Sequence, residues 1–525
     1  MGTLADTLHE FHAAVEDYRK RSPHLRAYAK MLEAAEEADR VLGPAAAGVW
    51  EEVLKAVPGD PLAEHHLAII RHGTGYRLHA DTPGRAKEAV EEWKRGMQHW
   101  ARLVNNDAFW DALRQTWEAR AARAKAGADP IGEKLLKLDL RKVRAHLPRP
   151  LLALHAGFAE DCAASDAKLA KLHVAAIKES GFHPTAIEDA RKRVYRSVAG
   201  DVVKLAADLN TDEAWTKLRR YLAIDADYPA ALADALRICT DDCGRRQGDA
   251  AQLESILKML REAEKWAEDP ALVAAARTEF ALAEARSDFY LAWTRLCANR
   301  GIDLCNKDKP DEGLKLIDQA FDRSQRCLNA TTHPSPAGMD AFHWVCREGA
   351  ISDLSCNRDK GRFPLADRFL TAGLERLPDD PVLHAIRAKV YYWTGDESNF
   401  RRARERAEEL NRRTPTPRAN SHLSELKQYA ARGMSWGRIA PLISKADKAL
   451  GNDQFSEALK HLAAAEKIDA NILDIHFYKF ICHLQLGSHF TARQCLTRAE
   501  QLLGPDSDPN IVKGIATFRR NNPNY

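Results

Sequence analysis

Three histidines with a regular spacing are the first residues that could do chemistry. His65, His72 and His79 lie seven residues apart, and imidazole is the commonest metal ligand in proteins. On one helix this spacing places them on a single face, with consecutive Cα atoms about 10 Å apart. One metal ion cannot join adjacent members at that separation, because a zinc–nitrogen bond is only about 2 Å long. We therefore predict no metal site and no cofactor, and interpret the three as ordinary histidines of a helix.

A cysteine nucleophile is the second possibility, and it needs a thiolate with an imidazole within hydrogen-bond reach. The dipeptides that could supply this pair are His72-Gly73 and Cys243-Gly244, as in caspase-like peptidases. Both lie beside helical patterns, and no buried strand precedes the cysteine. Phosphate-loop, dinucleotide-binding, nucleophile-elbow and zinc-peptidase motifs are absent from the sequence. We predict that the chain is not an enzyme, with a caspase-like cysteine peptidase as the disfavoured alternative.

A basic stretch from 381 to 440 is the third candidate, with twelve Lys and Arg against six Asp and Glu. One interpretation is a solvated helix face with pairs such as Arg404 and Glu408, four residues apart. The other is a surface for an acidic peptide or for nucleic-acid phosphates. Its densest part, named here the basic ridge, comprises Arg401, Arg402, Arg404, Arg406, Arg412 and Arg413.

Composition limits the classes of protein to consider. The 525 residues are 45% hydrophobic and 29% charged, the balance of a folded chain rather than a disordered one. Lys plus Arg number 78 against 75 Asp plus Glu, so no global charge draws the chain to nucleic acid or membrane. The ten cysteines are widely spaced, as in a reduced protein, and no apolar run is long enough to span a bilayer. We expect a cytoplasmic protein without membrane contact.

Helix signals recur along the whole chain. Asp-Pro is a favourable helix start, because Asp accepts hydrogen bonds from the first turn and Pro needs no partner for its nitrogen. Apolar residues then follow at spacings of three and four, and no alternating strand pattern is evident. An all-α fold is predicted, with helices starting at or near Asp60-Pro61, Asp129-Pro130, Asp269-Pro270, Asp380-Pro381 and Asp508-Pro509.

A repeat is evident towards the C-terminus. Ala458, Leu462 and Ala465 recur after 34 residues as Ala492, Leu496 and Ala499, a period that resembles tetratricopeptide (TPR) repeats. Weaker copies include Gly301 with Gly313, Ile317 and Ala320, and Ala366 with Leu370 and Gly373. The resemblance implies a solenoid of helical hairpins. We predict a TPR-like array at 291–525 and a helical N-terminal region with weak helix-pair repeats at 1–290.

The resemblance also implies a concave groove lined by the first helix of each repeat. A protein-interaction scaffold that binds a peptide or another protein there is the predicted function. The alternatives are a nucleic-acid-binding repeat protein that uses 381–440, or a non-catalytic regulatory subunit of an enzyme complex. A neighbouring helix or the C-terminal tail could instead cover the groove. The sequence does not determine the partner or the oligomeric state. The predicted groove residues are Val382, Ala385, Lys389, Tyr392 and Trp393, with Asp474, Phe477, Ile481 and Leu484.

Overall fold

The computed structural model describes residues 4–22, 25–81, 84–125, 139–246, 252–307, 309–504 and 507–522. Regular structure within these ranges is helical, and no strand occurs in them. The all-α prediction is therefore confirmed. None of the helices in these ranges combines the length and the apolar composition needed to cross a membrane.

The chain forms two compact units. The first comprises Met1–Ile238 with Ala263–Ala275, and the second comprises Cys239–Glu262 with Ala276–Tyr525. The predicted boundary at 290 falls inside one unbroken helix, Phe280–Asn306. No proline or glycine interrupts the chain between 280 and 300, so nothing there ends the helix.

Helices of the first unit are mostly joined by short connections. Where consecutive helices pack together across such a connection they must run antiparallel, as in α1 with α2, α4 with α5, and α8 with α9. The helices are α1 (Leu4–Arg21), α2 (Leu25–Leu42), α3 (Ala47–Ala56), α4 (Pro61–Asp81), α5 (Ala86–Val104), α6 (Asp107–Lys125), α7 (Leu140–His146), α8 (Pro148–Cys162), α9 (Ala167–Lys178), α10 (Pro184–Val198), α11 (Val202–Ala207) and α12 (Thr211–Ile224). Next come α13 (Pro229–Arg246), α14 (Leu253–Ala267) and α15 (Pro270–Ala275), of which α13 and α14 contribute residues to both units.

The second unit continues as helical hairpins. The packed pairs are α16 with α17, α18 with α19, α20 with α21, α23 with α24, and α25 with α26. The helices are α16 (Phe280–Asn306), α17 (Pro310–Asn329), α18 (Pro336–Cys356), α19 (Pro364–Arg376), α20 (Pro381–Thr394), α21 (Glu397–Arg413), α22 (Pro417–Arg432), α23 (Ser435–Gly451), α24 (Phe455–Glu466), α25 (Leu473–Gln485), α26 (His489–Gln501) and α27 (Pro509–Asn521).

Helix starts follow the predicted chemistry. α4, α15, α20 and α27 each begin at the proline of an Asp-Pro pair. In each case the aspartate accepts a backbone N–H of the first turn, as where Asp380 accepts from Val382 at 2.7 Å and Asp60 accepts from Ala63 at 2.9 Å. Asp129-Pro130 lies outside the described residues.

The 34-residue period corresponds to equivalent positions on two second helices. All six of its residues are fully buried, three on α24 and three on α26. In the earlier copy Gly301 lies against Gly313, where an added Cβ on Gly301 would meet the Gly313 carbonyl oxygen at 2.7 Å. Small residues therefore let the two helices of a pair approach closely, as TPR-like packing requires. The TPR-like prediction for this part of the chain is confirmed.

Candidate partner-binding surfaces

The first half of the predicted groove is interior. Its residues lie on α20, the first helix of a hairpin, as the repeat implies. Their side chains are nevertheless buried by the chain itself, so they do not form an open surface. Those residues are Val382, Ala385, Lys389, Tyr392 and Trp393.

The aromatic pair of this set packs beneath the next helices. The Tyr392 ring stacks on that of Tyr429 from α22, with centroids 4.6 Å apart, and Trp393 carries the Arg358 guanidinium over its ring at 4.7 Å. Gly437 of α23 lies so close that a Cβ there would overlap the Tyr392 carbonyl oxygen. The prediction of an open groove at this place is wrong, because α22 and α23 fold over α20.

The charge of Lys389 is paired within the chain. Its Nζ donates to Glu425 at 2.6 Å and contacts His422 Nδ1 at 2.8 Å. Burial lowers the pKa of Lys389, against the opposing effect of Glu425. Burial and then the Lys389 charge lower the pKa of His422 to about 4, so this imidazole is neutral and accepts the hydrogen bond. The lysine is therefore not available to an acidic ligand.

The second half of the predicted groove is covered by α27. Phe477, Ile481 and Leu484 are partly buried and pack on the apolar cluster that contains Ile511 and Ile515 of that helix. Asp474 is also partly buried. The last described helix thus occupies the place where a peptide was expected, which is the covered alternative weighed from the sequence.

Most of the basic ridge is neutralised locally. Arg402 donates to the Asn399 side chain at 3.1 Å and Arg412 to the Glu408 backbone oxygen at 3.4 Å. The other four arginines pair with carboxylates, which is the solvated-face interpretation. Those pairs are Arg401–Glu397, Arg404–Glu408 (2.9 Å), Arg406–Asp379 (2.6 Å) with Arg406–Glu409 (2.9 Å), and Arg413–Glu409.

The three spaced histidines lie on α4 and face different neighbours. The His65 ring meets Trp100 edge-on at 5.5 Å, His72 Nδ1 lies 3.1 Å from the Ala68 carbonyl oxygen, and the His79 ring is 4.9 Å from Phe158. In the described ranges no three His, Cys, Asp or Glu side chains are placed to hold a metal ion.

Another histidine pair was missed in the sequence because its members are not periodic. His155 of α8 and His173 of α9 are buried, and their Nδ1 atoms are 3.1 Å apart. Burial lowers the pKa of His155 to about 3, with further contributions from His173 and His72. It lowers that of His173 to about 4, with a contribution from His79. Both rings are therefore neutral, with one donating to the other.

The cysteine of the supposed dyad is not prepared for catalysis. Cys243 lies on α13 rather than at a strand end, and its thiol is buried. Burial and the neighbouring Asp242 raise its pKa to about 11, whereas a nucleophile needs a lowered one. Burial also lowers the pKa of His72, which belongs to the other unit. These local environments do not support a peptidase.

An open cleft in the first unit was not predicted. It has a volume of about 630 Å³ and lies among the end of α5, α7, α8 and the start of α10. Asp139 caps α7 by accepting from the Arg141 N–H at 3.0 Å, and Pro148 and Pro184 start the other two helices. We name it the arginine cleft, after the arginines among the residues that line it. Its floor is apolar and is formed by Val104, Pro148, Leu152, Ala186 and Ala190.

Four arginines line the arginine cleft, and they differ in how they are held. Arg144 donates to the Val104 carbonyl oxygen and pairs with Asp107, both at 2.7 Å. Arg193 pairs with Glu160 at 2.8 Å.

The other two arginines of the cleft, Arg141 and Arg149, are exposed and have no ion-pair partner among the described residues. The basic run RKVRAHLPRP at 141–150 was the available signal. Only the fold brings it opposite α10.

No protein-family model matches the chain, and a search of curated proteins gives no significant match. Solved structures do align along most of its length. They include the yeast Tom70 crystal structure (12% identity, TM-score 0.18, 93% of this chain and 94% of that one) and the P58(IPK) TPR domain (15%, 0.20, 82% and 94%). A third is the APC/C hetero-tetramer Cut9-Hcn1 (11%, 0.19, 95% and 96%). Similarity at this level does not indicate a shared partner or activity.

Proposed function

We propose that this chain is a protein-interaction scaffold and that the arginine cleft of the first unit is where a partner binds. The observation that carries the proposal is an open concavity with an apolar floor and two arginines that the described part of the chain leaves unpaired. Its volume lies in the range of ligand-binding clefts, roughly 300–1,000 Å³.

The rest of the described chain agrees with a binding role. Helical hairpins stacked in sequence order suit the presentation of side chains to another macromolecule. The buried Cys243 thiol and the dispersed histidines offer no reaction chemistry of the kind first considered. A regulatory subunit of an enzyme complex would use the same mode of binding. A cytoplasmic location remains our prediction, and the ten free cysteines agree with it.

Binding of nucleic acid through the basic ridge is the less favoured function. Four of its six arginines already pair with carboxylates, so few are free to replace the counterions of a phosphate backbone. The experiment below would also detect binding of nucleic acid by this ridge.

The experiment compares capture of partners by the wild type and by two charge-reversed double variants in the native host. Arg141→Glu with Arg149→Glu alters the cleft, whereas Arg402→Glu with Arg412→Glu alters the two ridge arginines that form no ion pair with a carboxylate in the described part of the chain. The cleft variant should lose a stoichiometric protein partner that the ridge variant retains, with unchanged circular dichroism. Equal retention by both variants would refute the proposal. If only the ridge variant loses its partners, and nuclease treatment abolishes their capture by the wild type, nucleic-acid binding would be favoured.

A further inference from the structure

We infer that the arginine cleft binds a short segment of its partner in which acidic residues flank an apolar one. The inference rests on the proposed function and adds the chemistry of the ligand. It concerns a place outside the TPR-like array, between helices of the first unit.

The charges of the cleft divide into two kinds. Arg144 and Arg193 are already neutralised by Asp107 and Glu160, so a ligand gains little from them. Arg141 and Arg149 lie on adjoining helices and retain their charge towards solvent. Since guanidinium binds carboxylate in a bidentate geometry, these two arginines select a ligand with acidic groups.

The floor of the cleft favours a polypeptide over a polynucleotide. Single-stranded nucleic acids bind by stacking their bases on aromatic rings, and the described residues that line the cleft include no Phe, Tyr or Trp. Their one imidazole, His183, caps the start of α10 by accepting the Thr185 N–H. Aliphatic residues such as Leu152 and Ala190 instead suit an apolar side chain.

Polar groups at the edge of the cleft suit a peptide backbone. Asp189 can accept a backbone N–H, and the Asn105 side chain can donate to a backbone carbonyl. The lining thus has partners for acidic side chains, an apolar side chain and the main chain between them. These are the features of an acidic–apolar peptide segment.

The test measures fluorescence anisotropy with the full chain and capped, labelled peptides. The probe is Glu-Leu-Glu-Leu-Glu, and the comparison peptides are Gln-Leu-Gln-Leu-Gln and Glu-Gly-Glu-Gly-Glu. A short oligouridine and inorganic pyrophosphate represent the other anions. The probe should bind at least about fivefold more tightly than either comparison peptide and than the oligouridine, and pyrophosphate should compete weakly. Arg141→Gln with Arg149→Gln should weaken binding of the probe peptide roughly tenfold or more.

A matched variant controls for charge alone. Arg402→Gln with Arg412→Gln removes two arginines of the second unit that likewise form no ion pair among the described residues, and it should leave probe binding unchanged. Equal binding of the two glutamate peptides would overturn the role of the floor. Tighter, cleft-dependent binding of the oligouridine would overturn the choice of polypeptide.

The two proposals can fail separately. If the cleft variant loses a protein partner in the host while no acidic peptide binds the purified chain, this inference fails and the proposed function stands. If the peptide binds at the cleft but no host protein depends on it, the proposed function fails instead.

Discussion

Mild acid should destabilise the first unit through its buried histidine pair. His155 and His173 have folded-state pKa values of about 3 and about 4, below the unfolded value of about 6.5. Between these limits the unfolded chain binds more protons than the folded one. The stabilisation is therefore complete above about pH 6.5 and is lost progressively as pH falls towards the folded pKa values.

The size of the effect follows from these pKa values. Each histidine lowers the free energy of unfolding by about 1.4 kcal/mol for each pH unit below 6.5, which gives about 2 kcal/mol at pH 5. The two rings share one hydrogen bond, so their contributions are not strictly additive, and the pair should lower the unfolding free energy by about 2–4 kcal/mol. That is a substantial part of the 5–15 kcal/mol typical of a domain.

Hydrogen exchange of peptides from α8 and α9 should be compared at pH 7 and pH 5, after correction for the intrinsic rate. The wild type should lose protection in these helices at pH 5. His155→Leu with His173→Leu removes both polar groups together and should reduce the loss. His9→Gln, at an exposed position of the same unit, should behave as the wild type. An equal loss of protection in the double leucine variant would refute the reasoning.

Three further predictions concern the second unit. Gly437→Ala should lower the unfolding free energy by at least about 2 kcal/mol because its methyl group overlaps the Tyr392 carbonyl oxygen, whereas Gly451→Ala, with open space around it, should change it little in urea denaturation. Tyr392→Ala with Trp393→Ala should lower the free energy of unfolding by several kcal/mol, since both rings are buried. A fully stable variant that captures its partner more weakly would instead support the open groove. Cys243 should resist iodoacetamide at pH 8 in the folded chain and react after denaturation, and Cys243→Ala should leave partner capture unchanged; rapid labelling of the native thiol would contradict its raised pKa.

Properties set by neighbours along the chain were predictable from the sequence. Asp380 before Pro381 starts a helix because the carboxylate and the first-turn N–H groups are only two or three residues apart. The 34-residue recurrence of Ala458 at Ala492 marked equivalent buried positions, since small residues are needed wherever two helices of a hairpin approach. Both signals depend on short separations or on a repeated unit.

The tertiary structure alone decided which helix faces remain open. Tyr392 lies on the predicted helix, yet Tyr429 and Gly437 cover it, and no local pattern reveals such a contact. Likewise Arg149 and Arg193 line the same arginine cleft from separate helices. Amphipathic periodicity shows that a face is apolar but not what packs against it, because that choice depends on contacts between residues far apart in the chain.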